Sequence, residues 1–98
     1  MKHASFKAAA RRDLNAIYDY GYEHWGRAAA EDYAAMITAV VGYITEHPLA
    51  KPMVEGRTPL RRANVGSHVI FFRPTEEGIV VIRVLHEGMD VRRHLPSN

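Results

Sequence analysis

The stretch LRRANVGSHVIFFRPTEEGIVVIRVLH, residues 60–86, governs the architecture because it holds three strand-like runs separated by two turns. Residues 60–65 lead into Gly66-Ser67, a pair typical of a tight hairpin turn. Residues 68–73 (HVIFFR) are rich in β-branched and aromatic side chains, and residues 74–78 indicate a second, longer hairpin loop. Residues 79–86 (IVVIRVLH) are nearly all apolar, as expected of a central strand covered on at least one face.

The half of the chain before this stretch carries two apolar stripes at helical spacing. The first stripe, which stops at a glycine, consists of Ala10, Leu14, Ile17, Tyr18, Gly21 and Trp25. The second stripe, which stops before His47-Pro48, consists of Ala29, Tyr33, Met36, Ile37, Val40 and Ile44. Because only one or two residues separate the stripes, the helices are predicted to form an antiparallel hairpin. We expect its aromatic residues to lie in the hairpin core: Tyr18, Tyr22, Trp25 and Tyr33.

The remaining segments complete the architecture. Residues 3–7 indicate a short first strand, residues 48–59 a proline-rich loop, and residues 90–94 one helical turn within a polar tail, residues 87–98. The order is strand, helix, helix, strand, strand, strand. It predicts one α+β domain over residues 1–98, a two-helix antiparallel hairpin packed on a three- to four-stranded antiparallel sheet.

Composition narrows the possible chemistry. The chain has no cysteine, which excludes disulfides, a thiolate nucleophile and the usual structural zinc sites. Its six histidines lack metal-ligand spacing, so we expect neither a metal nor a cofactor. The N-terminus has no signal-peptide pattern, and the longest aliphatic run, residues 79–82, is too short to cross a membrane. We therefore expect a cytoplasmic protein with no membrane partner.

Charge is uneven along the chain although the net charge is only +2. The second half is rich in arginine, at Arg57, Arg61, Arg62, Arg73, Arg83, Arg92 and Arg93. This pattern fits a nucleic-acid surface or an acidic protein partner, and it fits a solvated arginine-rich sheet edge equally well.

Four strings in this order resemble the ParE/RelE toxin superfamily, and they cover almost the whole chain. ARRDLNAIYDYGYEHWG, residues 10–26, is similar to the first helix of ParE-like proteins, and the second helix has the alanine-rich start, Tyr33 and the ending Glu46-His47-Pro48. RTPLRRANVGSHVIFFR, residues 57–73, resembles the arginine-flanked hairpin. GIVVIRVLHEGMDVRRHL, residues 78–95, resembles the last strand and tail of the ParE branch. One departure is Lys7-Ala8, where the family often has Ser-Pro; this removes an N-cap.

The resemblance implies the toxin of a type II toxin-antitoxin system, a plasmid-stabilisation type of protein that arrests growth when free. A ParD-like antitoxin, itself DNA-binding, would neutralise it in a hetero-oligomer, and no sequence-specific DNA binding by the toxin is expected. ParE-type members inhibit DNA gyrase, whereas RelE-type members cut mRNA on the ribosome. RelE-like nucleases usually place a tyrosine or histidine near the C-terminus, and here the last tyrosine is Tyr43 in the second helix. Cations and an acid/base pair could still come from Arg61, Arg73, Arg83, His68, His86 and His94. His86, however, belongs to the Arg-Val-Leu-His string that resembles the ParE branch.

Gyrase inhibition without a catalytic residue is therefore favoured. A RelE-like mRNA endonuclease and a non-toxic antitoxin-binding member remain as alternatives. We expect the surface that meets the target on the last strand and tail, because this polar segment is longer than the fold needs. Its candidates are Arg83, His86, Met89, Asp90, Arg92 and Arg93. Arg83 and His86 also fit a purely structural or interface role.

The antitoxin is expected to bind a groove beside the helices and an open strand edge. Ala35, Ala39 and Gly42 share a face of the second helix on which a partner helix could approach closely. Arg57, Arg61 and Arg62 could pair with an acidic antitoxin tail. Met36 and Val40, in contrast, are expected to be buried against the sheet.

Overall fold

The computed structural model describes residues 2–95 and confirms the predicted order of elements. They are β1 (His3–Phe6), α1 (Ala8–Trp25), α2 (Arg27–Glu46), a single 3-10 turn (Pro48–Ala50), β2 (Arg61–Val65), β3 (His68–Thr75), β4 (Gly78–His86) and α3 (Val91–His94). Gly26 alone joins α1 to α2 with φ 89°, a conformation that favours glycine. The helical hairpin is thus confirmed, as is the helical turn in the tail; residues 96–98 of that tail lie outside the described residues.

The sheet has four strands in the order β1-β4-β3-β2. The last three strands form an antiparallel meander, but β1 pairs with β4 in parallel, so the prediction of an entirely antiparallel sheet is wrong for this pair. Parallel neighbours need a long crossover, which the helical hairpin and the first two meander strands supply. Gly78 makes the close approach possible, since a Cβ there would collide with the His3 carbonyl oxygen.

The turn between β3 and β4 is shorter than predicted. Thr75 pairs with Gly78, so only Glu76 and Glu77 form the turn, and Pro74 lies within β3 opposite Ile79. Successive residues of an antiparallel strand direct their backbone groups alternately toward the two neighbouring strands. At Pro74 the side that lacks an N–H faces away from β4, and β2 does not extend far enough to pair there. Proline is therefore tolerated in this strand.

The sheet is covered on both faces. Between the helices and the sheet, Ile37 and Ile44 pack with Ile70, Phe72 and Val81. The opposite face is covered by the loop before β2 and by the tail, in a cluster formed by Val54, Leu60, Val69, Phe71, Ile82, Leu85 and Leu95. Because the Leu95 side chain is only 6% exposed, the prediction that the tail is longer than the fold needs is wrong. Within residues 2–95, none of the helices combines the length and apolarity that a membrane crossing requires.

Candidate functional site

An apolar groove of about 950 Å³ runs along the helical hairpin and ends against the sheet. From α1 it is lined by Leu14, Ala16, Ile17, Tyr18, Tyr20, Gly21 and Trp25, and from α2 by Ala29, Ala30, Tyr33, Ala34, Ile37, Thr38 and Val41. Phe6, Ser67, His68 and His86 complete the lining. Apolar walls with a few polar groups at one end are typical of a binding site for a ligand or a peptide.

The hairpin tip extends beyond the sheet and forms one rim of this groove. The backbone N–H of Lys7 donates to Val81, and the Asp13 carboxylate accepts from the backbone of Val84, so α1 runs alongside the second half of β4. From this start α1 is about 27 Å long, whereas β4 from Val81 to His86 covers about 17 Å. All of residues 22–29 are consequently exposed.

Aromatic residues of α1 are therefore more accessible than the sequence predicts. Trp25 is 67% exposed and Tyr22 is also exposed, so their assignment to the hairpin core is wrong. Tyr18 and Tyr33 are half-buried, and both line the groove. Tyr20, which the helical stripe omits, lies against Trp25 with ring centroids 5.6 Å apart. The apolar spacing does not predict this exposure of the α1 aromatic residues, because their exposure depends on where β1 pairs along β4.

Polar groups at the sheet end of the groove form a compact network. The Tyr33 hydroxyl lies 2.6 Å from His68 Nδ1 and 3.1 Å from the Val65 carbonyl oxygen, and it accepts from the Ser67 backbone N–H at 3.1 Å. The His68 and His86 rings meet edge to face with centroids 5.5 Å apart. Burial lowers the pKa of His68, the neighbouring His86 lowers it further, and Glu87 opposes both effects. His68 is therefore neutral at pH 7.

The predicted small-residue face of α2 and the groove are different surfaces. Ala35, Ala39 and Gly42 are exposed, as expected, but none of them lines the groove. Val40 is half-buried, whereas Met36 is 48% exposed, so the predicted burial of Met36 is wrong. The groove is lined instead by the residue before each of the three small residues, namely Ala34, Thr38 and Val41, on the neighbouring side of α2.

The three arginines proposed to pair with an acidic partner differ in their contacts and in their exposure. Arg61 donates to the Lys51 carbonyl oxygen at 2.6 Å, and Nε of Arg57 is buried. Arg62 is exposed, but its backbone N–H donates to Pro52. Segment 51–54 thus covers the start of the β2 edge, with an isolated bridge between Met53 and Arg61. β1 lies at the other edge of the sheet.

Arg83 has structural partners that set it apart from the other proposed target residues. Its Nε and Nη2 donate to the two carboxylate oxygens of Asp13 at 2.7 and 2.9 Å, and its Nη1 donates to the His94 carbonyl oxygen at 3.1 Å. The hydrogen bond to Asp13 raises the pKa of Arg83. A β-bulge pairs Phe71 with Arg83 and Phe72 with Val81. These contacts favour the structural interpretation of Arg83.

The remaining candidates lie at the end of β4 and in the tail. His86 lines the groove, and Met89 is exposed. Asp90 caps α3 by accepting from the Arg92 backbone N–H at 3.0 Å. The side chains of Arg92 and Arg93 are 83% and 82% exposed and lie 3.6 and 3.9 Å from the Asp90 carboxylate. Met89, Arg92 and Arg93 thus form an accessible patch, called the tail patch below.

Within residues 2–95, no cluster of three or more histidine, aspartate or glutamate side chains is placed to hold a metal ion. Nδ1 of His68 contacts the Tyr33 hydroxyl, and Nδ1 of His86 accepts from the Gly88 N–H at 3.2 Å.

Comparison with known proteins gives concordant results. Residues 4–91 match the family described as the ParE toxin of the type II toxin-antitoxin system parDE. The chain is 38% identical over 96 residues to Toxin ParE1 of Caulobacter vibrioides, covering 97% of this chain and 99% of the relative. It is 37% identical over 89 residues to Toxin ParE1 of Mycobacterium tuberculosis, covering 89% and 91%. A solved structure described as a chromosomal ParDE TA system from P. aeruginosa has the same fold, with a TM-score of 0.73 at 20% identity over 88% of this chain and 96% of that one.

Proposed function

Because the chain belongs to the ParE toxin family of type II toxin-antitoxin systems, we propose that a ParD-like antitoxin neutralises it by occupying the groove along the helical hairpin. The observation that carries this proposal is the groove itself, which is apolar along both helices and has exposed aromatic residues on its rim. An amphipathic antitoxin helix laid into such a groove would bury its apolar side chains between α1 and α2.

The rim of the groove is suited to a tight complex. Trp25 and Tyr20 are large, exposed and in mutual contact, and such residues supply much of the binding energy where a partner excludes water from them. Contiguous exposed apolar surface of this kind is also unfavourable in a free monomer. In the proposed complex, the antitoxin covers this exposed apolar surface.

A second contact for the antitoxin is available at the sheet. β1 is an edge strand of four residues, and its outer side could pair with an extended antitoxin segment. The β2 edge is less suitable, because segment 51–54 already bonds to its start. Exposed Arg62 can attract an acidic tail during encounter, which affects the association rate more than the final affinity.

The target proposed for the free toxin is DNA gyrase in the cytoplasm. Membership of the ParE family supports this choice over mRNA cleavage. The tail patch of Met89, Arg92 and Arg93 supplies an accessible surface for the contact, and inhibition by binding needs no bond-breaking residue. We accordingly propose that the protein is not an enzyme, and that DNA binding in the complex belongs to the antitoxin.

A supercoiling and DNA-cleavage assay with purified gyrase tests this proposal. The free toxin is expected to inhibit supercoiling and to accumulate cleaved DNA, and preincubation with the antitoxin encoded beside its gene is expected to abolish both effects. If the toxin arrests growth but leaves gyrase unaffected, the target proposal is wrong; ribosome-dependent mRNA cleavage is then tested by primer extension.

A further inference from the structure

The hydrogen atoms around Tyr33 can be assigned by counting donors and acceptors. The hydroxyl has one hydrogen and accepts from the Ser67 N–H, so it can donate to either the Val65 carbonyl oxygen or His68 Nδ1. If it donated to His68, its oxygen would face the Val65 carbonyl oxygen at 3.1 Å with no hydrogen between them. All three contacts are hydrogen bonds only when Tyr33 donates to Val65 and His68 Nδ1–H donates to Tyr33.

The same counting of donors and acceptors assigns the ring hydrogen of His86. The Gly88 N–H donates to Nδ1 of His86 at 3.2 Å, so this nitrogen carries no hydrogen in the neutral ring. Neutral His86 therefore holds its hydrogen on Nε2, whereas neutral His68 holds its hydrogen on Nδ1 and leaves Nε2 as an acceptor. The two neighbouring rings consequently differ in what they offer to a ligand: one Nε2 donates and the other accepts.

Both Nε2 atoms are available from the groove. Each side chain lines it, and within residues 2–95 neither Nε2 atom has a hydrogen-bond partner. His86 is exposed, and His68 Nε2 is not among the buried side-chain atoms that lack a partner, so both atoms reach solvent. The two neighbouring rings, with centroids 5.5 Å apart, therefore present one donor and one acceptor to the groove, which is the complement of the N–H and C=O of an amide.

We propose that His68 and His86 form an amide-reading pair at the sheet end of the groove, in which His68 Nε2 accepts from an antitoxin amide N–H and His86 Nε2–H donates to its carbonyl oxygen. The groups are the NH₂ and C=O of an Asn or Gln side chain, or the N–H and C=O of one residue in an extended segment, which belong to two successive peptide groups and point to the same side. This inference rests on the proposed occupation of the groove by the antitoxin. In an otherwise apolar groove, the pair fixes the register of the bound segment, because a displaced segment leaves polar groups unpaired.

The pair also makes the complex sensitive to acid. Protonation places a hydrogen on His68 Nε2, which converts the acceptor into a donor and loses the bond from the amide N–H. The groups that face His68 are Tyr33 from α2, His86 from β4 and Glu87 after it, and only Glu87 favours the charged ring. Since the free toxin already holds His68 neutral, affinity is full near pH 7.5. It declines as the pH falls below the lowered pKa of His68, by up to tenfold per pH unit.

The first test uses the free toxin labelled with ¹⁵N. Long-range ¹H–¹⁵N correlation spectra at pH 7.5 distinguish the two tautomers of each ring. His68 is expected as the Nδ1–H form and His86 as the Nε2–H form. Any other combination overturns the proposal. The two Nε2 atoms would then both be donors or both be acceptors, or His68 would donate and His86 accept.

The second test measures the dissociation constant with the antitoxin encoded beside the toxin gene between pH 5 and pH 7.5. His68→Gln removes the imidazole and is expected to weaken binding at pH 7.5 and to flatten the pH profile, because the glutamine amide does not titrate in this range. His86→Leu removes the donor and is expected to weaken binding roughly tenfold at pH 7.5. His47→Gln, an exposed histidine outside the groove, is the matched control and is expected to retain the wild-type profile.

The outcomes separate this inference from the proposed function. Thr38→Arg, which places a long charged side chain in the groove, separates the two ideas. A wild-type profile that is flat between pH 5 and pH 7.5, in a complex that Thr38→Arg disrupts, overturns the amide-reading pair alone. Binding that survives Thr38→Arg overturns groove occupation as well. In the complex with ¹⁵N-labelled antitoxin, the partner resonance that shifts with His86→Leu identifies the amide as a backbone N–H or a side-chain NH₂ group.

Discussion

Asp13 of α1 and Arg83 of β4 are joined through both carboxylate oxygens, at 2.7 and 2.9 Å, and Asp13 Oδ2 also accepts from the Val84 backbone N–H at 2.9 Å. β1 pairs with β4 only as far as Val81. The Asp13 carboxylate therefore bonds to the backbone of β4 just beyond the point where β1 ends. Through His94, the same arginine also holds the tail.

Asp13→Ala is expected to destabilise the protein by about 2–4 kcal/mol, because it removes the carboxylate that accepts from Nε and Nη2 of the largely buried Arg83 and from the Val84 backbone N–H. The two side chains are only 22% and 14% exposed, so solvent screens their interaction weakly. The measurement is the free energy of unfolding from urea titration. Glu31→Ala is the control: it removes the exposed pair with Arg27 and is expected to cost less than about 0.5 kcal/mol. Equal effects of the two substitutions would contradict the structural role of Asp13.

Thr38→Arg is expected to weaken antitoxin binding at least a hundredfold, because it places a long charged side chain in the apolar groove. Ala39→Arg, at the adjacent exposed position outside the groove, is expected to leave the affinity within about threefold. Isothermal titration of both variants distinguishes the two faces of α2. The reverse result would place the antitoxin on the small-residue face of Ala35, Ala39 and Gly42.

The tail requires point substitutions, because truncation after Gly88 would remove Leu95 from the second core cluster as well as the tail patch. The double variant Arg92→Glu, Arg93→Glu is expected to retain wild-type stability within about 0.5 kcal/mol and to lose inhibition of gyrase. Leu95→Ala is expected to cost about 2–3 kcal/mol of unfolding free energy. Full inhibition by the folded double variant would exclude its two arginines from the target contact.

Gly78→Ala is expected to destabilise the protein by about 2 kcal/mol or more, because the new Cβ would collide with the His3 backbone and separate β1 from β4. Gly42→Ala is a matched control in an open position of α2, where no atom lies within 4 Å of the new Cβ. Its higher helix propensity is expected to stabilise the protein by about 0.5–1 kcal/mol. Thermal unfolding is expected to show a lower midpoint temperature for Gly78→Ala and a higher one for Gly42→Ala. An unchanged midpoint for Gly78→Ala would contradict the close approach of β1 to Gly78.

The order of elements could be predicted from sequence because each depends on local patterns. Alternating and helical apolar spacing, Gly26 and the Gly66-Ser67 turn act within a few residues of the chain. The direction of β1 could not be predicted, because it depends on an approach between His3 and Gly78 that no local pattern records. The exposure of Trp25 follows from that same pairing, which sets how far α1 extends past the sheet.

The candidate site could be predicted only in outline. The sequence predicts a groove beside the helices, but helical spacing alone does not show which side of α2 lines it. Arg83 and Asp13 lie far apart in sequence, so their pairing, and with it the structural role of the arginine, was not readable from composition. The histidine network likewise needs Tyr33 of α2 to meet the turn between β2 and β3.

The parallel pairing of β1 with β4 affects the order of events during protein synthesis. Within residues 2–95, β1 is made before the helical hairpin, yet its partner in the sheet is β4, which follows all the other strands in the chain. A nascent chain can form the helical hairpin from local contacts, but it cannot complete the sheet or join Asp13 to Arg83 before residues 78–86 have been synthesised. Completion of the sheet therefore waits for β4, whereas the contacts between α1 and α2 can form earlier.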